Sequence, residues 1–198
     1  MAINPLVCRI SQKTGNIITP RIRMVYPALF KPWAPRGSDQ EPKFQLTILV
    51  PKAADIALLK KGAQDAAFAE FGKDAKGVKT PFIKTEEQER FADYADEYPT
   101  MIRARSNERP GVADREGKDV FEDRADEVYG GRWAFVSLRP YAWKHPTGGK
   151  GVSFGLQNVQ LLEDDEPIGG GRVAASSEFE PVEGIGGDDS EDAASLFV

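Results

Sequence analysis

The sequence predicts a mainly β fold: a five-stranded Greek-key barrel with additions, one main helix between strands 3 and 4, and a disordered acidic C-terminal tail. Three observations carry that expectation. Apolar and polar residues alternate in short runs along much of the chain, the period of a half-buried strand. One long run, residues 53–71, switches to three- and four-residue spacing, the period of an amphipathic helix. The final stretch is acidic, glycine-rich and poor in apolar residues, so it buries too little surface to offset its ordering entropy.

Taken in order, Leu6, Cys8 and Ile10 alternate with Val7, Arg9 and Ser11 as a first strand, and Lys13 to Asn16 form a turn signal. Residues 17–30 form a second strand with Ile22, Met24 and Tyr26 on one face and Arg21, Arg23 and Val25 on the other. Pro20 and Pro27 mark it as bent or at an edge. Residues 31–42 hold three prolines, a glycine and Trp33, which reads as a loop. A third strand turns Phe44, Leu46, Ile48 and Val50 inward. The helix follows, with Ile56, Leu59, Ala63, Ala67 and Phe71 on one stripe, Asp55 at its start and Gly72 at its end. Residues 73–99 are polar, with a second short helix expected near 86–94.

Residues 100–105 form a short strand with Ile102 and Ala104 inward and Arg103 and Arg105 outward. Residues 107–131 are a long acidic connection. Residues 132–144 are strand-like but interrupted by Pro140, residues 145–151 turn, and residues 152–162 are the last strand. A helix in a small Greek-key barrel is the layout of the OB-fold, a five-stranded barrel that binds oligonucleotides. The glycines at 169–171 mark a hinge. Residues 1–172 are therefore read as the barrel domain and 173–198 as the tail.

Charge refines this picture. The chain has 26 basic and 31 acidic residues. Residues 173–198 carry seven of the acids and no Lys or Arg, which leaves the body close to neutral. Any polyanion site must come from segregation of charge. Acids crowd residues 85–97 and 114–127, whereas strands carry Arg21, Arg23, Arg103, Arg105, Arg132 and Arg139. The single cysteine excludes an internal disulfide and fits a reducing cytosol. With neither a membrane-length apolar stretch nor a signal-peptide pattern, the expected location is the cytoplasm.

Several segments carry a family resemblance: VYPALF over 25–30, FQLTILVPK over 44–52, GRWAFVSLRPYAW over 131–143, and GVSFGLQNVQLL followed by DEPIGGG over 151–171. In this order they resemble bacteriophage and prophage single-stranded-DNA-binding proteins with an OB-fold. The resemblance implies a non-enzymatic protein that coats single strands during phage replication or recombination. The acidic end, with Asp188, Asp189, Glu191, Asp192, Leu196 and Phe197, is similar to the tails of phage and bacterial single-strand binders, although Val198 follows the phenylalanine. It implies a tail that competes with nucleic acid and recruits replication or recombination proteins.

Sequence-tolerant binding of a single strand needs cations for phosphates and flat rings for bases. Arginine supplies both, because its guanidinium stacks as well as pairs. The expected contact residues are Arg21, Arg23, Trp33, Arg103, Arg105, Arg139, Tyr141, Trp143, Lys144, Lys150 and Phe154. Trp133 and Phe135 are expected in the core, Cys8 as a small buried hydrophobe and His145 as a loop residue. Phosphate contacts do not count strands, so duplex binding stays open, as does homo-oligomerisation.

Two rival classes are weighed. A metal-dependent nuclease would need carboxylates converging on ions about 3.5–4 Å apart. The acids at 114–127 alternate with Arg115, Lys118 and Arg124 and show no ligand spacing. No P-loop is present, and one histidine with one cysteine leaves most zinc sites and Cys–His catalysis unsupported. A structural or virion protein with a barrel core is the third reading. No cofactor is expected.

Overall fold

The computed structural model describes residues 3–168. The hinge glycines and the whole tail, including Asp188, Asp189, Glu191, Asp192, Leu196 and Phe197, lie outside the described residues. The strands are β1 (Arg9–Ile10), β2 (Ile17–Ile18), β3 (Ile22–Trp33), β4 (Lys43–Val50), β5 (Phe82–Lys84), β6 (Thr100–Ser106), β7 (Gly111–Ala113), β8 (Trp133–His145) and β9 (Gly149–Leu161). Helix α1 spans Ala57–Phe71.

Five long strands close on themselves. β8 pairs with β3, β3 with β4 and β4 with β6; β6 then runs parallel to β9, and β9 returns to β8. One parallel pair in an otherwise antiparallel closed barrel is the OB arrangement, and closure removes the sheet edges. The alternating pattern explains the inside. Met24, Leu46, Ile48, Ile102, Ala104, Val136, Leu138, Phe154 and Leu156 are all essentially inaccessible.

The helix follows the strand over 43–50, as expected. Counted around the barrel, it falls between the second and third strands, because the expected first strand supplies only the two-residue β1 outside the closed set. α1 starts where Asp55 Oδ1 accepts the Ala57 N–H at 2.8 Å. It buries Leu59 and Ala63 and rests on β8 and β9. Gly62 lies at the closest approach: a Cβ there would stand 2.6 Å from Ile17 Cδ1 and 3.3 Å from Pro140 Cγ. That packing requirement outweighs the roughly 1 kcal/mol a glycine costs inside a helix. The helix expected near 86–94 is instead two 3-10 segments, Thr85–Glu87 and Glu89–Tyr94. Cys8 is buried as expected, and burial pushes its thiol up to about 11.

A second, smaller core lies on the barrel's flank and joins Val25, Leu49, Phe91, Tyr98, Met101 and Ile168. The segment 163–168 forms a strap over it. Arg23 donates to Asp165 Oδ2 at 2.5 Å and to the Glu166 carbonyl at 2.6 Å, and the Trp133 indole donates to Asp165 Oδ2 at 2.7 Å. The Ile168 N–H bonds to the Gly130 carbonyl.

Candidate nucleic-acid interface

Residues opposite each other on neighbouring strands share a face. The pairings Ala28↔Gln45, Gln45↔Arg105, Arg105↔Gly155 and Gly155↔Arg139 therefore define one row across β3, β4, β6, β9 and β8. Neighbouring rows add Thr47 with Arg103, Ser153 with Tyr141 and Gly151 with Trp143. Since Phe154 and Ala104 point into the core, this row points outward. Arg103, Arg105, Arg139 and Tyr141 are exposed on or beside it, whereas the expected contact Lys144, opposite Lys150, belongs to the alternate face of the hairpin.

Two contiguous depressions cover the face. One, of about 500 Å³, lies between Tyr26, Trp33, Arg90, Arg103 and Arg105. The other, of about 820 Å³, runs from Trp33 and Lys43 past Arg105 to Lys79, Trp143 and His145. Trp33, Pro35, Gln45 and Arg105 belong to both, so they form one cleft with Trp33 near its middle. Trp33 is half exposed at the end of β3, opposite Lys43. The expected loop thus begins only after it. Gln88 Oε1 accepts from the Arg103 guanidinium at 2.9 Å.

The β8–β9 hairpin supplies the other ring. The Trp143 indole N–H donates to Ser153 Oγ at 3.0 Å, and the ring covers Gly151. His145 organises the turn: its Nδ1 accepts the Gly148 N–H at 3.0 Å.

Four further expected contact residues are placed elsewhere. Phe154 is wholly buried and meets Phe82 edge-on, because its position in β9 alternates inward. Arg23 is 6% exposed and tied to the strap, outside the cleft lining. Arg21 lies over the Trp133 ring at 4.1 Å and pairs with Glu163, outside the cleft lining. Lys150 donates to the Asp74 carbonyl and sits over the Phe71 ring, beside the end of α1. Phe135 is buried as expected, whereas Trp133 is half-buried under the strap.

Three cleft residues were not anticipated. Tyr26 is expected on the face of Ile22 and Met24, which is the buried one, but a register shift between Val25 and Ala28 and a φ of 50° turn it out. Its sequence signal is Tyr-Pro inside a strand, which marks a bulge. Arg90 lies in an acid-rich segment that gave no hint of a cation aimed at the sheet. Lys79 reaches the hairpin by backbone bonds to Lys150 and Val152.

The carboxylates weighed for metal chemistry serve local structure. Asp114 Oδ1 accepts the Lys118 N–H at 2.9 Å, and Arg124 pairs with both Asp114 and Glu127. The Lys118 amide holds the Asp114 carboxyl below its usual range, with further help from Arg124. Among the described residues no group of three or more His, Cys, Asp or Glu side chains is arranged to hold a metal ion. No described helix is long and apolar enough to cross a membrane.

The barrel and its cleft define an OB module with rings and guanidinium groups along one outer face, a class of surface suited to single polynucleotide strands. The chain belongs to the family described as Enterobacter phage Enc34, ssDNA-binding protein, whose model matches residues 15–194. It is similar to the solved single-stranded DNA-binding protein from bacteriophage Enc34 in complex with ssDNA. The identity is 26% and the TM-score 0.66, over 85% of this chain and 96% of that one. A second structure of the single-stranded DNA-binding protein from bacteriophage Enc34 matches at 26% identity and a TM-score of 0.66, over 91% of this chain and 97% of that one. The gp2.5 single-stranded DNA-binding protein of bacteriophage T7, at 14% identity and a TM-score of 0.53 over 83% and 97%, shares the fold. No curated protein sequence matches the chain.

Proposed function

We propose that the protein is a non-catalytic, sequence-tolerant binder that coats single-stranded DNA in phage replication or recombination, within the host cytoplasm. The observation that carries this reading is the single cleft in which Trp33, Trp143, Arg103 and Arg105 line one surface of a closed OB barrel. Membership of the Enc34 family supports the choice of ligand.

Guanidinium groups of Arg103, Arg105 and Arg139 meet phosphates, releasing counterions. Trp33, Tyr141 and Trp143 stack on bases, each worth about 1–3 kcal/mol. Nothing in this division of labour reads a base edge, so binding tolerates sequence.

The acidic tail completes the proposal. A flexible chain of 26 residues spans roughly 25–31 Å, against a radius of gyration of about 15 Å for a compact body of this size, so a tail of that length can reach the cleft. Its carboxylates screen the cleft until DNA displaces them, and Leu196 and Phe197 then engage replication or recombination proteins.

Titration with labelled oligo(dT), in the presence and absence of Mg²⁺, tests the reading. Saturable binding with the label intact is expected. Specific cleavage, or failure to bind, contradicts it.

A further inference from the structure

We infer that Tyr26 is a base-stacking platform and that Arg90 serves as a phosphate contact beside it, forming with Trp33 a nucleotide compartment separate from the one at Trp143. The inference rests on the single-strand reading above and adds two contact residues to it.

The cleft has two lobes that meet at Trp33. The lobe away from the hairpin, about 500 Å³, falls within the size range of small-ligand clefts, about 300–1,000 Å³. Tyr26 lines it and is 40% exposed, unusual for a tyrosine in a strand whose neighbours Met24 and Val25 are inaccessible. Its backbone adopts φ 50°, a conformation that costs a non-glycine residue of order 1–3 kcal/mol. The following Pro27 fixes the chain beyond it.

That strain has a geometric result. It lifts the ring out of the core and sets it against the Phe91 edge, with centroids 5.5 Å apart and planes at 64°. Phe91 itself is buried, so it forms a rigid backstop. The neighbouring Arg90 lines the lobe together with Arg103. A ring held in place before binding loses little freedom when a base stacks on it. Two cations beside that ring supply the phosphate partners that sequence-tolerant binding needs.

Four variants test this by oligo(dT) titration: Tyr26→Phe, Tyr26→Gly, Arg90→Ala and, as a control on the functional reading, Trp33→Ala. Glycine suits the φ of 50°, so Tyr26→Gly keeps the fold while removing the ring. Tyr26→Phe should bind within about twofold of the wild type, and Tyr26→Gly should lose about 5- to 150-fold. Arg90→Ala should lower the log–log salt slope by about 0.7. Wild-type affinity in Tyr26→Gly, or an unchanged slope in Arg90→Ala, overturns the inference while a weakened Trp33→Ala leaves the functional reading standing. A wild type that does not bind defeats both.

Discussion

Trp143 and Gly151 face each other across β8 and β9, and a Cβ added at position 151 would lie 2.7 Å from Cε2 of the indole. The glycine is therefore the seat of the ring. Gly151→Ala should displace Trp143 from the cleft wall and weaken oligo(dT) binding, and Trp143→Ala should cost about 1–3 kcal/mol of binding. Tryptophan fluorescence titration checks both, with circular dichroism confirming that the barrel persists.

Phe154 fills the barrel beside Phe82. Phe154→Ala should destabilise the fold by about 3–5 kcal/mol, measured by urea denaturation. The remaining folded fraction should bind oligo(dT) with unchanged affinity, since the side chain never reaches the cleft.

Gly131 lies under the strap with φ 113°, and a Cβ there would stand 2.8 Å from Ile168 N and 2.9 Å from Pro167 Cα. These are backbone atoms that cannot rotate away. Gly131→Ala should lower stability by more than about 1 kcal/mol, read from the thermal midpoint. It should also make residues 163–168 more open to limited proteolysis.

Asp165 gives the strap a pH dependence. Its carboxyl is held below the usual range, chiefly by the Glu166 amide and then by the Trp133 indole and Arg23. A depressed folded pKa means that this stabilisation is fully present above the unfolded value, about 3.9, and is lost as pH falls through the folded one. Asp165→Asn should be less stable at neutral pH and show a flatter decline in acid. Urea midpoints between pH 2 and 7 check this.

Deleting residues 173–198 should tighten oligo(dT) binding at low salt, with the gain shrinking as salt rises. Competition titrations at several ionic strengths test it; equal affinity at low salt would remove the screening role proposed for the tail.

Local pattern made much of this legible. Alternation identified the five barrel strands, and outward Arg103 and Arg105 followed directly from inward Ile102 and Ala104. What escaped was non-local. Arg23 lies outside the main barrel core, as alternation implies, but a strap 142 residues away covers it. Tyr26 escaped because one bulge reverses side-chain direction. Trp33 reads as a loop residue because prolines flank it, yet β3 continues to it opposite Lys43. Phe154 is an expected contact whose ring could face either way from the sequence alone, and the alternation of its own strand takes it into the core.

The central claim is that cations and rings on one barrel face hold the strand together. Oligo(dT) affinity measured across a salt series, for the wild type and for the Arg103→Ala/Arg105→Ala double variant, tests it most directly. The predicted result is tight wild-type binding with a log–log slope that falls by about 0.7 for each arginine removed. An unchanged slope and affinity in the double variant would contradict it.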